Sequence, residues 1–116
     1  MMNHDGKLDW RTPATIVASA LALALLTVSH APAAPQAQVS IGEFKFSPPT
    51  LSVPVGTTVM WTNRDEVPHT ITAATGAFAS GGLSQGETFA QLFARPGTYE
   101  YFCSLHPHMR ATVVVK

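Results

Sequence analysis

The stretch YEYFCSLHPHMRATVVV, residues 99–115, combines a strand pattern with an unusual group of side chains. Its first part places Tyr99, Tyr101 and Cys103 on one face of a predicted strand. Its last part, ATVVV, predicts a second strand. The residues between them include the only cysteine of the chain, two histidines and a methionine. The stretch therefore predicts two β-strands joined by a short loop that is rich in metal-ligand side chains.

Strand patterns separated by Gly, Pro and Asn fill the chain from residue 39 onward, and the two described above are the last of them. They are VSIGEFKFSP (39–48), TLSVPVG (50–56), TTVMWTN (57–63), HTITA (69–73), ETFAQLFA (87–94), GTYEYFC (97–103) and ATVVVK (111–116). The first pattern slips in phase at Gly42-Glu43, which indicates a β-bulge, and Phe44 is assigned to the core. The small residues of 74–84 predict a loop. Short strands at this spacing predict an all-β sandwich or barrel.

The N-terminal residues have the order of a secretory signal peptide. Lys7 and Arg11 precede an apolar stretch at 14–28, and small residues and prolines follow it. The apolar stretch is shorter than the roughly 20 residues that span a membrane. We therefore expect an exported protein, periplasmic or otherwise extracytoplasmic, without a membrane span in its mature form. An uncleaved N-terminal anchor is the alternative.

Cleavage after Ala33 in the Ala-x-Ala pattern, with Ala31 and Ala37 as other possible ends, gives the predicted organisation of the chain. Residues 1–33 are the signal peptide, 34–38 a short linker and 39–116 one small domain. The formal net charge of the chain is zero, and only 12% of its residues are charged. That balance disfavours nucleic acid as a partner. We expect a monomer.

The lone cysteine cannot form a disulfide within the chain, so an exported protein must protect this thiol in another way. Metal ligation would protect it and would also stabilise a small domain. The predicted domain holds these soft or borderline ligands: His69, His106, His108, Cys103, Met60 and Met109. One end of a sandwich gathers the loops of several strands, so His69 can meet the Cys103 loop there.

Two imidazoles, one thiolate and a weak axial thioether are the ligands of a type 1, or blue, copper site. Zinc prefers four firm ligands, and a thioether is a poor fourth. Within the loop His106 is favoured over His108, because a ligand at His108 would require the chain to reverse beside Met109. Met60, next to a tryptophan inside a strand, is assigned to the core.

Each of these residues also has a plainer interpretation. Cys103 could be a buried structural thiol or, less well supported, a nucleophile activated by a histidine. His69 alone could be a surface residue at a strand end, and Met109 could fill the core. The turn Arg64-Asp65-Glu66 is interpreted as solvated. The spacing of the cysteine, histidine and methionine favours ligation over these interpretations.

The segments FSPPTLSVPVGTTVMWTNRDEVPHTIT and PGTYEYFCSLHPHM resemble the cupredoxins, in particular the short-loop, amicyanin-like type. The Cys-x-x-His-x-x-Met spacing is similar to that of amicyanin, and the resemblance covers residues 39–116. It implies a cupredoxin-like Greek-key β-sandwich of about seven to eight strands. It also implies one copper ion, cycling between Cu(I) and Cu(II), held by His69, Cys103 and His106 with Met109 axial.

The resemblance further implies that the backbone amide of Thr70 points at the thiolate sulfur. Asparagine is frequent at this position in the family, so its side-chain hydrogen bond is absent or replaced here. Asn63 is a weaker candidate for a residue that supports the site. The Arg110-Ala111 pair departs from a family that often has glycine soon after the methionine.

The function predicted from these residues is that of a small exported carrier of single electrons, not an enzyme. A redox protein donor and acceptor would dock transiently near His106. A copper storage or delivery module is the alternative. An oxidase or nitrite reductase would need a second copper centre, for which only His108 remains in the predicted domain after the four ligands are assigned.

Overall fold

A computed structural model describes residues 18–30 and 34–116 of the chain. Residues 1–17 and 31–33 lie outside these ranges, and they include most of the predicted signal peptide and the residues just before its cleavage point. Residues 18–30 belong to a separate unit, are exposed and form neither helix nor strand. No helix in the described ranges is long and apolar enough to cross a membrane.

The second unit contains eight strands and, within residues 34–116, no helix. The strands are β1 Gln36–Gly42, β2 Lys45–Ser47, β3 Thr50–Val53, β4 Thr57–Asn63, β5 Thr72–Ala73, β6 Thr88–Phe93, β7 Gly97–Phe102 and β8 Arg110–Val115. One sheet has the order β2-β1-β4-β6 and the other the order β3-β8-β7-β5. The pairs β1–β4 and β3–β8 are parallel, and the other pairs are antiparallel. The all-β sandwich of about eight strands is therefore confirmed.

Strict alternation of side chains builds the core between the sheets. In β4 the residues Thr57, Val59, Trp61 and Asn63 are buried, whereas the intervening residues are half-buried, so the assignment of Met60 to the core was wrong. In β8 the buried positions alternate in the same way. Because successive side chains of a strand point to opposite faces, each strand gives one face to the core. The indole of Trp61 lies at the centre, within 6.4 Å (ring centroids) of four aromatic rings: Phe78, Phe89, Phe93 and Tyr101.

The predicted bulge at Gly42-Glu43 is instead a two-residue hairpin turn between β1 and β2. Glu43 and Phe44 both adopt the left-handed backbone conformation, with φ of 54° and 58°. A tight hairpin requires positive φ at both central residues, and Asn-Gly or Asp-Gly usually supplies it. Glu-Phe carries no such signal, which is why the sequence pattern suggested one continuous strand. The turn places Phe44 outside the core, 41% exposed.

The pH dependence of stability should report on the buried phenol of Tyr101. This side chain is 2% exposed, and burial raises its pKa to about 12. The unfolded chain releases this proton at an ordinary tyrosine pKa, so the folded state holds it more tightly between about pH 10 and 12. The contribution is complete below pH 10 and is lost as the pH rises towards 12.

We therefore expect the free energy of unfolding to fall over that range by roughly 2–3 kcal/mol more in the wild type than in Tyr101→Phe. Urea denaturation at a series of pH values measures the difference. Parallel curves for the two proteins would contradict the assignment.

Candidate metal centre

The loop from Cys103 to Met109 closes on itself through backbone hydrogen bonds. The N–H of Cys103 donates to the carbonyl of Met109 (3.0 Å), so the first and last residues of the loop are paired. The N–H of His106 donates to Cys103 O (3.2 Å), and the N–H of Met109 donates to His106 O (2.9 Å). Two successive tight turns therefore bring residues three apart towards one another. Cys103 and Met109 are buried, at 0% and 3% exposure.

His69 reaches the same region from the segment that precedes β5. Its backbone forms a two-way bridge with Leu83, with N–H to O distances of 3.1 and 2.8 Å. Its imidazole is fully buried. The long loop that supplies Leu83 thus fixes the backbone of His69, whose ring lies close to the sulfur of Cys103.

Three potential ligand atoms converge at this end of the sandwich. The Nδ1 atoms of His69 and His106 lie 3.7 and 3.6 Å from the Sγ of Cys103. All three atoms lie within 4.8 Å of one another. The predicted imidazole and thiol side chains are therefore brought together, with Met109 buried in the same loop. His108 is exposed and does not belong to the cluster, as expected.

Thr70 supports the sulfur from the backbone. Its N–H donates to Cys103 Sγ at 3.3 Å, which confirms the predicted amide contact. Its hydroxyl accepts the N–H of Ser104 at 2.8 Å and lies 3.0 Å from the Ser104 hydroxyl. The threonine side chain therefore joins the His69 and Cys103 segments, in place of the asparagine that is frequent in the family.

Asn63 organises the turn before His69. Its side chain is fully buried, and its Nδ2 donates to the carbonyls of Val67 (3.0 Å) and Leu83 (2.9 Å). Its Oδ1 accepts the N–H of Asp65 at 2.9 Å. Its side chain thus bonds backbone groups of the turn and of Leu83, so Asn63 fixes the shape of the turn that carries Asp65.

Asp65 was predicted to be solvated, but its carboxylate holds the outer side of His69. The Oδ2 atom lies 2.7 Å from His69 Nε2. Because an ionised carboxylate can only accept hydrogen bonds, the His69 Nε2–H donates to Asp65, and Nδ1 is the nitrogen that faces the cluster. The carboxylate also accepts the N–H groups of Glu43 (2.7 Å) and Phe44 (2.9 Å). Burial by itself would raise the pKa of Asp65, but the Phe44 amide, the His69 ring and the Glu43 amide together lower it below its ordinary value.

Phe44, which the sequence analysis assigned to the core, lies instead at the metal centre. Its ring lies edge-on to the imidazoles of His69 and His106, with ring centroids 5.2 and 5.0 Å apart. No local signal points to this contact, since the three residues are far apart in the sequence and only the β1–β2 hairpin brings them together.

Three exposed apolar side chains lie beside the ligands in the sequence or in contact with them, and we call them the apolar rim: Phe44, Val67 and Leu105. His106 is half-buried, and Leu105 beside it is 54% exposed. Val67 and Phe44 are 38% and 41% exposed. The site therefore combines a fully buried sulfur with one half-buried imidazole beside the apolar rim.

Comparisons with known proteins agree with this geometry. A family model described as a cupredoxin-like domain matches residues 15–115. Amicyanin-alpha of Methylorubrum extorquens is 35% identical over 98 residues, which cover 80% of this chain and 82% of the relative. A purple cupredoxin from Nitrosopumilus maritimus is 39% identical with a TM-score of 0.65, over 69% of this chain and 99% of that one.

A copper-containing nitrite reductase from Thermus scotoductus is 29% identical with a TM-score of 0.67, but the match covers 76% of this chain and only 23% of the enzyme. The fold and the cluster of His69, Cys103 and His106, with Met109 buried in the same loop, are typical of a protein that binds one copper ion at a type 1 site. The chain belongs to the cupredoxin family.

Proposed function

We propose that this chain is an extracytoplasmic carrier of single electrons, with copper bound by His69 Nδ1, Cys103 Sγ and His106 Nδ1 and with Met109 as the axial ligand. The observation that supports it best is the convergence of the three ligand atoms within 4.8 Å around a fully buried sulfur. Bound copper would supply a Cu(II)/Cu(I) couple, which suits a mixed set of imidazole, thiolate and thioether ligands. The roles of the protein are to hold these ligands in place and to exclude water.

The supporting contacts favour electron transfer because they fix the ligands from outside. Asp65 orients the His69 ring, and the Thr70 amide orients the sulfur. Ligands that are held in this way need to move little when the charge of the centre changes, and outer contacts of this kind also tune a metal site. A carrier that accepts and donates electrons quickly requires such rigidity.

We propose that the donor and the acceptor are redox proteins that dock at the apolar rim near His106. The half-buried ring of His106 and the exposed side chain of Leu105 give a short route from the surface to the cluster. Transient redox complexes use small interfaces, so a patch of this kind is sufficient. The predicted signal peptide supports a periplasmic or other extracytoplasmic location, and no feature of the site requires a second copy of the chain.

A copper storage or delivery module would use the same ligands, but it would release copper readily. Electron self-exchange separates the two functions. In mixtures of the Cu(I) and Cu(II) forms we expect NMR line broadening that grows with the concentration of the oxidised protein, while a chelator removes little copper within minutes. Rapid loss of copper to the chelator, without exchange broadening, would favour the storage function.

His106→Ala and His108→Ala form a matched pair for this measurement. Both remove an imidazole from the same loop, but only His106 lies in the cluster. We expect His106→Ala to abolish the exchange broadening and His108→Ala to keep it near the wild-type value. Equal losses in the two variants would contradict the ligand assignment.

Asp65→Asn tests the outer support of His69. The amide removes the negative charge and one of the two equivalent acceptor oxygens that serve His69 and the two hairpin amides. We expect copper affinity to fall by about 10–100-fold, as is typical when an outer partner of a ligating histidine is lost. Competition with a copper chelator measures the change.

Glu66→Gln is the control, because it removes a charge of the same sign from the adjacent, exposed position. If the two variants bound copper equally well, the contact between Asp65 and His69 would have no functional role.

A further inference from the structure

Phe44 occupies a backbone position that disfavours it. Its φ of 58° lies in the left-handed region, where residues other than Gly, Asn and Asp are uncommon. It follows Glu43, which also has a positive φ. A large aromatic residue that is held at such a position indicates that its side chain has a role which offsets the conformational cost.

The turn is held at the metal centre by Asp65. The carboxylate that accepts the His69 Nε2 proton also accepts the N–H groups of both turn residues, at 2.7 and 2.9 Å. The hairpin tip and the first imidazole therefore share one anchor. As a result, the position of the Phe44 backbone is defined relative to His69 even though 24 residues separate them in the sequence.

The Phe44 ring then contacts both imidazoles. Its interplanar angles with His69 and His106 are 86° and 85°, and the two imidazoles lie 5.0 Å apart at 64°. Aromatic rings favour such edge-to-face contacts at these distances. The three rings therefore form one packed cluster on the outer side of the ligand atoms.

The contact matters most for His106. Within residues 18–30 and 34–116 the protein provides no hydrogen-bond partner for its outer nitrogen, whereas the outer nitrogen of His69 is held by Asp65. On the side away from Cys103, packing against neighbouring rings therefore restrains the His106 imidazole. The Phe44 ring covers part of both imidazoles with apolar surface.

We propose that Phe44 is a positioning residue of the copper centre: its ring, set by the Glu43-Phe44 turn and the Asp65 anchor, restrains the His106 imidazole and shields both imidazoles from solvent, and thereby raises the reduction potential. This inference rests on the proposed copper site and deepens it. The direction of the change in reduction potential follows from the charge of the centre, since water stabilises the more highly charged oxidised form. An apolar shell that excludes water therefore favours the reduced state.

Phe44→Gly separates this role from a structural one. Glycine adopts positive φ without strain, so we expect the metal-free variant to unfold at the same temperature as the wild type or at a higher one. The loss of the ring should nevertheless lower the Cu(I) affinity relative to the Cu(II) affinity by about tenfold, a fall in potential of about 59 mV for a one-electron couple. Phe44→Tyr retains the ring and should restore the wild-type potential.

Glu43→Gly is the matched control. It relieves the same backbone strain in the same turn and keeps the N–H that donates to Asp65, but it removes no ring from the cluster. Measured at high ionic strength, which screens the lost charge, its potential should equal that of the wild type. Voltammetry of the four copper-loaded proteins and thermal unfolding of the metal-free forms give the comparison.

An unchanged potential in Phe44→Gly, or an equal fall in both glycine variants, would overturn the proposal. If Phe44→Gly does not fold, Phe44→Asn, which tolerates positive φ and carries no apolar ring, decides between the outcomes: a lower potential supports the role of the ring, and a wild-type potential refutes it. A wild-type protein with no one-electron couple would overturn the copper site itself and this inference with it. That result is distinct from a normal wild-type couple that Phe44→Gly leaves unaltered.

Discussion

The hydrogen bond from the Thr70 amide to the Cys103 sulfur, at 3.3 Å, joins the two segments on which the metal centre depends. One segment directly follows β7 and contains Cys103, and the other precedes β5 and contains His69. The Thr70 hydroxyl strengthens the link by accepting the Ser104 amide at 2.8 Å. Pairing of Thr72 with Phe102 in β5 and β7 holds the same two segments side by side, and the Thr70 contacts set the spacing of the ligands within that frame. The sandwich places the His69 and Cys103 segments at the same end of the fold, and Thr70 connects one segment to the other.

The residues that support the ligands are linked by a series of hydrogen bonds that begins at buried Asn63 and ends at the β1–β2 hairpin. Buried Asn63 at the end of β4 shapes the turn, the turn presents Asp65, and Asp65 holds both His69 and the β1–β2 hairpin. The steps at Asn63 and His69 use hydrogen bonds to buried or half-buried groups, which are costly to leave unmade, whereas the step to the hairpin lies at the surface. The sulfur is fully buried, whereas His106 is half-buried beside the exposed side chain of Leu105. Rigidity at the ligands and access at one edge are the two properties that a single-electron carrier needs.

Much of this could be predicted from the sequence, because it depends on local patterns. The strand alternation around Trp61 and Tyr101, and the spacing from Cys103 to Met109, are periodic or short-range signals. The contact of the Thr70 amide followed from the family resemblance and is present. The roles of Asp65 and Phe44 could not be predicted, since each depends on contacts between distant segments. The turn at Glu43-Phe44 lacks the usual turn residues, so it appeared to be a bulge in one strand, and Phe44 appeared to belong to the core.

The visible absorption spectrum of the protein with one equivalent of Cu(II), recorded also for Cys103→Ser, tests the central claim most directly. That claim is that the buried sulfur and the two imidazoles form one copper site. We predict an intense blue or purple thiolate-to-copper band in the wild type and no such band in the serine variant, because the band requires the sulfur as a ligand. A pale spectrum in both proteins would show that Cys103 does not bind copper, and the account of the site as an electron-transfer centre would be wrong.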